Sequence, residues 1–237
     1  NEATGETVYT PPQDHATILR LMDNVAAFIN DDTISDLDPL TKMALLHFQF
    51  ETIHPFYDGN GRTGRILNIL YLVQQGLLDL PILYLSRFII HRKADYYRLL
   101  QEVRDKTNWE GWVLYMLEGV EQTAKETIGI IADIRELMQD YKHRIRKELP
   151  KIYSQDLLNN IFKHPYTKIE FVMEELQVSR ITATRYLDLL AEKGFMKKQK
   201  IWKTNFYINE PLYKLFKVRK TGIQKAEPVK TVNPDHV

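Results

Sequence analysis

Residues 54–65, His-Pro-Phe-Tyr-Asp-Gly-Asn-Gly-Arg-Thr-Gly-Arg, force a sharp joint between two apolar helical patterns and load it with ionisable groups. Ahead of the joint, Asp38 and Pro39 form an N-cap and N1 pair, and Leu40, Met43, Leu46, Phe50 and Ile53 lead along one helix into His54. Behind it, Ile66, Leu67, Ile69, Leu70, Leu72 and Val73 recur at helical spacing. Pro55, Gly59 and Gly61 bar a continuous helix between them. Gly59 and Gly61 also let backbone N–H groups approach a ligand closely. The joint therefore reads as an anion nest at a helix N-terminus, where unpaired N–H groups and the helix dipole favour phosphate.

The side chains extend that reading. Arg62 and Arg65, three apart, share one face of the first turn and can fork onto phosphate oxygens. A carboxylate such as Asp58 repels a polyphosphate unless a cation intervenes; Mg²⁺ suits, since it takes one or two carboxylates and completes its shell with phosphate oxygens and water. His54 is the one group of the joint that accepts a proton near neutral pH, which makes it the candidate general base. A transition-metal site built from His47, His54 and Asp58 is disfavoured, because Pro55 and the glycines break the helix that would bring the ligands onto one face.

These residues resemble the signature of the Fic family, HxFx(D/E)GNGRxxR, with His54, Phe56, Asp58, Gly59, Asn60, Gly61, Arg62 and Arg65 at its specified positions. The resemblance implies a mainly helical domain that transfers AMP from ATP to a Ser, Thr or Tyr hydroxyl of a target protein, or of itself, and releases pyrophosphate. It implies His54 as general base and Asp58 as the Mg²⁺ ligand. Gly59, Asn60 and Gly61 would cradle the phosphates, with Asn60 at the α-phosphate and Arg62 and Arg65 at the β- and γ-phosphates; Thr63 and Gly64 complete the nucleotide-binding stretch. Tyr96 and Tyr97 fall where the family carries an adenine-contacting tyrosine pair, although with 13 tyrosines in the chain core packing is a rival reading. Seven residues past Tyr97 relatives often have Asn, where this chain has Arg104.

In the family a β-hairpin flap precedes the active-site helices and docks the target segment. Gly5–Pro12 (residues 5–12), with the β-formers Val8 and Tyr9 closed by a proline pair, occupies that place, and a proline-punctuated loop is the alternative. Many members also carry an inhibitory helix with the pattern (S/T)xxxE(G/N). The nearest stretch here, Thr107 to Gly111, is one residue short. In the subclass most resembled that helix lies upstream of the flap, so the expectation is a fragment without its inhibitory element and more active than the full protein.

Length and charge suggest two domains. Residues 1–150 hold 16 Lys and Arg against 22 Asp and Glu, whereas residues 151–220 hold 14 against 7. The first part (1–150) reads as helical, with a helix over 14–30, further helical runs over 87–105 and 108–137, and a basic segment over 141–147 ending at Pro150. The second (151–220) reads as helices over 154–162, 168–176 and 180–193, then strands over 195–200 and 203–208, an order that resembles a winged helix-turn-helix. Arg180, Thr182, Thr184, Arg185 and Tyr186 then open a recognition helix, and Lys197, Lys198, Lys200 and Lys203 decorate a wing. A solvated basic face or a protein-docking module fits equally well. The remaining 221–237, rich in Lys, Pro and Glu, read as a flexible tail.

The fold class expected is thus mainly α, a helical Fic domain with a short flap followed by a small α+β winged-helix domain. No apolar run approaches a membrane span, no signal pattern is present, and zero cysteines exclude disulfides and thiolate chemistry and suit a cytoplasmic protein. Expected partners are ATP, a protein carrying a hydroxyl side chain, DNA through the second domain and a second copy of the chain, with no membrane. Two alternatives stay open. One is another chemistry on the same nest: transfer of a different nucleotide or of phosphate, or de-AMPylation. The other is a DNA-binding regulator whose Fic domain senses a nucleotide.

Overall fold

The structure, a computed structural model, describes residues 9–218. The chain divides into two compact units, Asn1–Thr127 and Ile128–Val237. Residues 5–8 of the expected flap and all of the expected tail over 221–237 lie outside the described residues. The rest of the flap, Tyr9–Pro12, has no regular secondary structure.

Local capping chemistry starts the first unit. Helix α1 (His15–Asn30) is opened by Asp14, whose carboxylate accepts the Thr17 N–H at 2.8 Å. Helix α2 (Pro39–Ile53) is opened by Asp38, which accepts from the N–H groups of Leu40 and Thr41 at 3.0 Å each, with Pro39 inside the first turn, where an N–H has no helical partner. Helix α3 (Asn60–Gln74) begins within the joint, so Gly61 to Arg65 form its first turns. The run expected as one helix over 87–105 is two, α4 (Leu85–His91) and α5 (Lys93–Lys106), because Arg92 leaves helical dihedrals at φ −116° and ψ 38°. Its guanidinium is held there by Asp95 and by Glu118 of α6. Helix α6 (Trp109–Glu148) is continuous through the basic segment over 141–147, and the division between the units falls within it.

The core of the first unit gathers Met43, Leu46, Ile53, Tyr71, Leu72, Leu85, Trp112 and Met116, drawn from α2, α3, α4 and α6 and fully buried. His47 and Tyr96 are buried in the same layer.

In the second unit α7 (Gln155–Lys163) is capped by Ser154 and α9 (Arg180–Glu192) by Ser179, with α8 (Ile169–Leu176) between them. Strands β2 (Lys197–Ile201) and β3 (Thr204–Ile208) form an antiparallel hairpin in which Lys198 pairs with Tyr207. Strand β2 starts later than the expected 195 because Phe195 and Met196, after a turn at Gly194 (φ 76°), are buried core residues rather than ladder residues. Two elements lack a counterpart in the sequence reading: the two-residue strand β1 (Tyr166–Thr167), which pairs with β3 to give sheet order β1-β3-β2, and α10 (Glu210–Val218). Ile161, Val172, Leu187, Leu190, Phe195 and Tyr207 make the core. Buried Asn209 ties it together, donating to the Ile161 carbonyl at 3.2 Å and accepting the Leu212 N–H at 3.1 Å. Among the described residues no helix is long and apolar enough to cross a membrane.

Candidate active site

Helix α2 ends by placing His54 in the left-handed region (φ 52°, ψ 55°), its N–H still bonded to the Phe50 carbonyl at 3.0 Å. A non-glycine residue held there costs ~1–3 kcal/mol, and such strain concentrates at functional sites. The side chain it carries is exposed at the turn. Five residues later the chain re-enters a helix through Gly59, also left-handed at φ 87°, which supplies no side chain to cap the first turn of α3. The first intrahelical bond runs from the Thr63 N–H to the Gly59 carbonyl at 2.9 Å, so the N–H groups of Asn60, Gly61 and Arg62 open the helix without a capping side chain.

The loop between the helices is stapled from inside by Asn60. Its side chain is 2% exposed; Oδ1 accepts the Phe56 N–H at 2.9 Å and Nδ2 donates to the Phe56 carbonyl at 2.6 Å. The resemblance assigns this residue to the α-phosphate, yet its amide is taken up with fixing the curvature of residues 56–60, and its backbone N–H is what faces the opening of α3. Asn60→Ala should cost about 1–3 kcal/mol by leaving the Phe56 groups unpaired. It should also speed amide exchange at Phe56, measured by hydrogen–deuterium exchange.

Around this opening lie opposite charges. Asp58 accepts the Gly59 N–H at 2.6 Å through Oδ1 and pairs with Arg62 at 3.2 Å through Oδ2. Both side chains are largely in solvent, so the pair is worth only ~0–1 kcal/mol and opens readily for a ligand. Arg65 is half-buried and oriented by a bond from Nε to Ser86 Oγ at 2.7 Å. Gly61 faces it: a Cβ there would sit 3.1 Å from Arg65 Nη1. Gly64 has another part, since a Cβ would meet Glu51 Oε1 at 3.0 Å, Phe50 Cδ1 at 3.1 Å and His47 Cε1 at 3.2 Å; it lets α3 lie against α2. Thr63 is half-buried on the same turn.

Three participants escape a reading of the motif alone. Glu51, one turn before His54, has its Oε1 buried without a hydrogen-bond partner; burial pushes its carboxyl up, against the downward pull of the charges on His54, Arg65 and Arg104. Its i, i+3 spacing to His54 is the signal that could have found it. Ser86 carries none, because its tie to Arg65 spans 21 residues. Arg104 lies over the Tyr9 ring at 3.8 Å, and the Tyr9 hydroxyl donates to the Thr52 carbonyl at 2.9 Å, which fastens the segment entering the fold beside the last turn of α2.

The two adjacent tyrosines separate. Tyr96 is 4% exposed, its hydroxyl 3.0 Å from His47 Nε2, and its ring lies against Trp112 and Tyr115. Burial, with the Glu51 charge, pushes its phenol well above the usual range. His47 is wholly buried and held down to about 4 by that burial, with Arg65 adding to it. Tyr97 is 58% exposed and meets Tyr96 edge-on at 5.3 Å, leaving ring surface for a ligand. Among the described residues no cluster of three or more His, Cys, Asp or Glu could hold a metal. Asp58 alone is nevertheless a fitting donor for Mg²⁺ that arrives with a polyphosphate, since phosphate oxygens and water then fill the shell.

Comparison with known proteins bears on both units. The family model described as Fic/DOC family matches residues 1–72, and the one described as protein adenylyltransferase SoFic-like, C-terminal domain, matches residues 137–212. The chain is 29% identical over 121 residues to protein adenylyltransferase fic-1 of Caenorhabditis elegans, covering 51% of this chain and 22% of that one. It is 38% identical over 65 residues to protein adenylyltransferase Fic of Drosophila erecta, covering 27% and 13%. These alignments span less than a quarter of either relative. A crystal structure of a Fic family protein from Desulfovibrio desulfuricans G20 aligns with a TM-score of 0.48 and 21% identity over 86% of this chain and 58% of its own.

Proposed function

We propose, because residues 1–72 match the Fic/DOC family and residues 137–212 the SoFic-like C-terminal domain, that the protein transfers AMP from ATP to a Ser, Thr or Tyr hydroxyl of a target protein, itself included. The observation that carries this reading is the exposed His54 held in a left-handed turn directly ahead of the uncapped N-terminus of α3, with Arg62 and Arg65 on its first turn. His54 accepts the proton of the target hydroxyl, whose oxygen forms a bond to the α-phosphorus while the bond from that phosphorus to the bridging oxygen breaks and pyrophosphate leaves. The N–H groups at the start of α3, Arg62 and Arg65 hold the charge of the departing β- and γ-phosphates; the reaction is mainly one of positioning and charge stabilisation. Asp58 is the residue that would hold Mg²⁺, which supplies charge neutralisation on the phosphates when bound.

Tyr97, with its exposed ring, is the better support for adenine, and Tyr96 backs it from the core. Base–aromatic stacking is worth roughly 1–3 kcal/mol, so Tyr97→Ala should raise the KM for ATP by about 5- to 150-fold with a smaller effect on kcat. Tyr96→Phe, which keeps the packing, should leave that KM near the wild-type value. Steady-state kinetics on both variants separates the two roles.

We assign the chemistry to residues 1–150 and read 151–220 as a winged-helix domain on its element order of helix, strand, helix, turn, helix and hairpin, with 221–237 as a tail. The deciding experiment incubates the protein with Mg²⁺ and ATP labelled separately at the α- and γ-phosphates and follows label into protein. Label from the α-position alone is the expected result. Label from the γ-position would mean phosphate transfer, and no incorporation with any nucleotide, or release of AMP from a modified protein, would replace AMP transfer by one of the other Fic chemistries or by nucleotide sensing.

A further inference from the structure

The tip of the β2–β3 hairpin carries the most exposed large apolar side chain among the described residues of its unit. Trp202 is 94% exposed and sits at φ 58°, between Ile201 and Thr204, which pair across the hairpin. A two-residue hairpin loop calls for a positive φ at this position, which Gly or Asn usually supplies; a Trp there gains no burial in return. With Ile181, 83% exposed on α9, it leaves two large apolar side chains bare in one unit.

The charges around it say what that surface meets. Lys200 and Lys203 flank Trp202 and form no ion pair among the described residues, whereas Lys197 is taken by Glu210 and Lys198 by Asp188 at 2.7 Å each. Lys200 points to the same side of β2 as Lys198, whose ammonium reaches Asp188 on α9. That contact places the hairpin beside α9 and, together with a bond from the Tyr207 hydroxyl at 2.6 Å, engages Asp188, the acid nearest to Thr184 and Arg185 along α9. On α9, Arg185 is exposed with no ion pair among the described residues, Ile181 is 83% exposed, and Thr184 lies between them. Arg180 pairs with Glu170 at 3.0 Å in an exposed pair that a ligand can open, as at Arg62, whereas Tyr186 packs toward the core and drops out of the sequence-derived contact residues.

We propose that this face binds double-stranded DNA: α9 enters the major groove with Ile181, Thr184 and Arg185 toward the bases, while Lys200 and Lys203 clamp phosphates and Trp202 wedges against the backbone beside them. The inference rests on the winged-helix reading of 151–220 and is independent of AMP transfer. A helix of 13 residues, about 20 Å long, suits a groove about 12 Å wide. A duplex is favoured over a single strand because one aromatic is too few for a stacking platform. The excess of 14 basic over 7 acidic residues across 151–220 supplies the attraction.

The test is fluorescence anisotropy of a labelled mixed-sequence 20-base-pair duplex with the full chain between 50 and 200 mM salt. Wild type, Trp202→Ala, Lys200→Gln with Lys203→Gln, Arg185→Gln and the remote control Lys125→Gln are compared. Binding should weaken with salt. The double lysine variant should lower the log–log salt slope by about two, one per lost phosphate contact. Trp202→Ala should weaken binding at least fivefold, and Lys125→Gln should match wild type. Trp202 carries no packing, so unchanged hydrogen-exchange protection in the second unit will certify that each variant is folded. No salt-dependent duplex binding at 50 mM, variants indistinguishable from Lys125→Gln, or binding to single strands or anionic vesicles but not to the duplex would each overturn the proposal.

Discussion

Replacing His54 with alanine is expected to reduce transfer of α-label by roughly 10²–10⁴-fold, the usual worth of a positioned general base. Because His54 also ends α2 in the left-handed region, alanine there removes the base and strains the turn together. His54→Asn separates the two effects, since Asn adopts that backbone conformation readily but cannot serve as the base. Both variants should lose transfer to the same extent. The affinity for ATP, which the proposed function assigns to the start of α3 with Arg62 and Arg65, should stay within a few-fold of wild type in His54→Asn. Loss of ATP binding in His54→Asn, or retained transfer in either variant, would remove His54 from the role of base.

Trp112→Ala should have the largest effect on stability. The indole is fully buried, stacks on His47 with parallel rings at 6.1 Å, touches Tyr96 and Tyr115, and donates from Nε1 to the Ala44 carbonyl at 2.8 Å. Truncating a buried Trp costs about 3–5 kcal/mol through lost burial and an unfilled cavity. Hydrogen–deuterium exchange should show protection falling across α2, α3 and α5, with α7 to α9 in the second unit unchanged. The loss should reach the site, since His47 and Tyr96 lie behind Gly64 and Arg65. Trp112→Phe, which refills most of the space, should recover much of the protection.

The contrast between those two residues reflects what can be read locally and what cannot. Asp14, Asp38 with Pro39, Ser154 and Ser179 start their helices where the sequence indicates, because a cap satisfies N–H groups two or three residues away. Gly59 and the start of α3 follow for the same reason. The break at Arg92 and the unbroken course of α6 were less legible: the first depends on Glu118 from another helix, and the second on a weak apolar pattern that helical propensity carries through. A two-residue strand such as β1 has no period to detect, and it exists because β3 offers it a ladder.

At the site the same division holds. Sequence by itself determined which chemical groups meet at the joint of α2 and α3, since base, carboxylate, turn glycines and arginines lie within twelve consecutive residues whose geometry is set by local hydrogen bonds. Only the tertiary structure decided that Tyr96 is core and Tyr97 exposed, that Ser86 aims Arg65, that Glu51 Oε1 is buried behind His54 without a hydrogen-bond partner, and that Asp188 claims Lys198 while Lys200 forms no ion pair among the described residues. Burial and charge pairing act between residues far apart in the chain, and neighbours with identical side chains differ in both once the helices have packed.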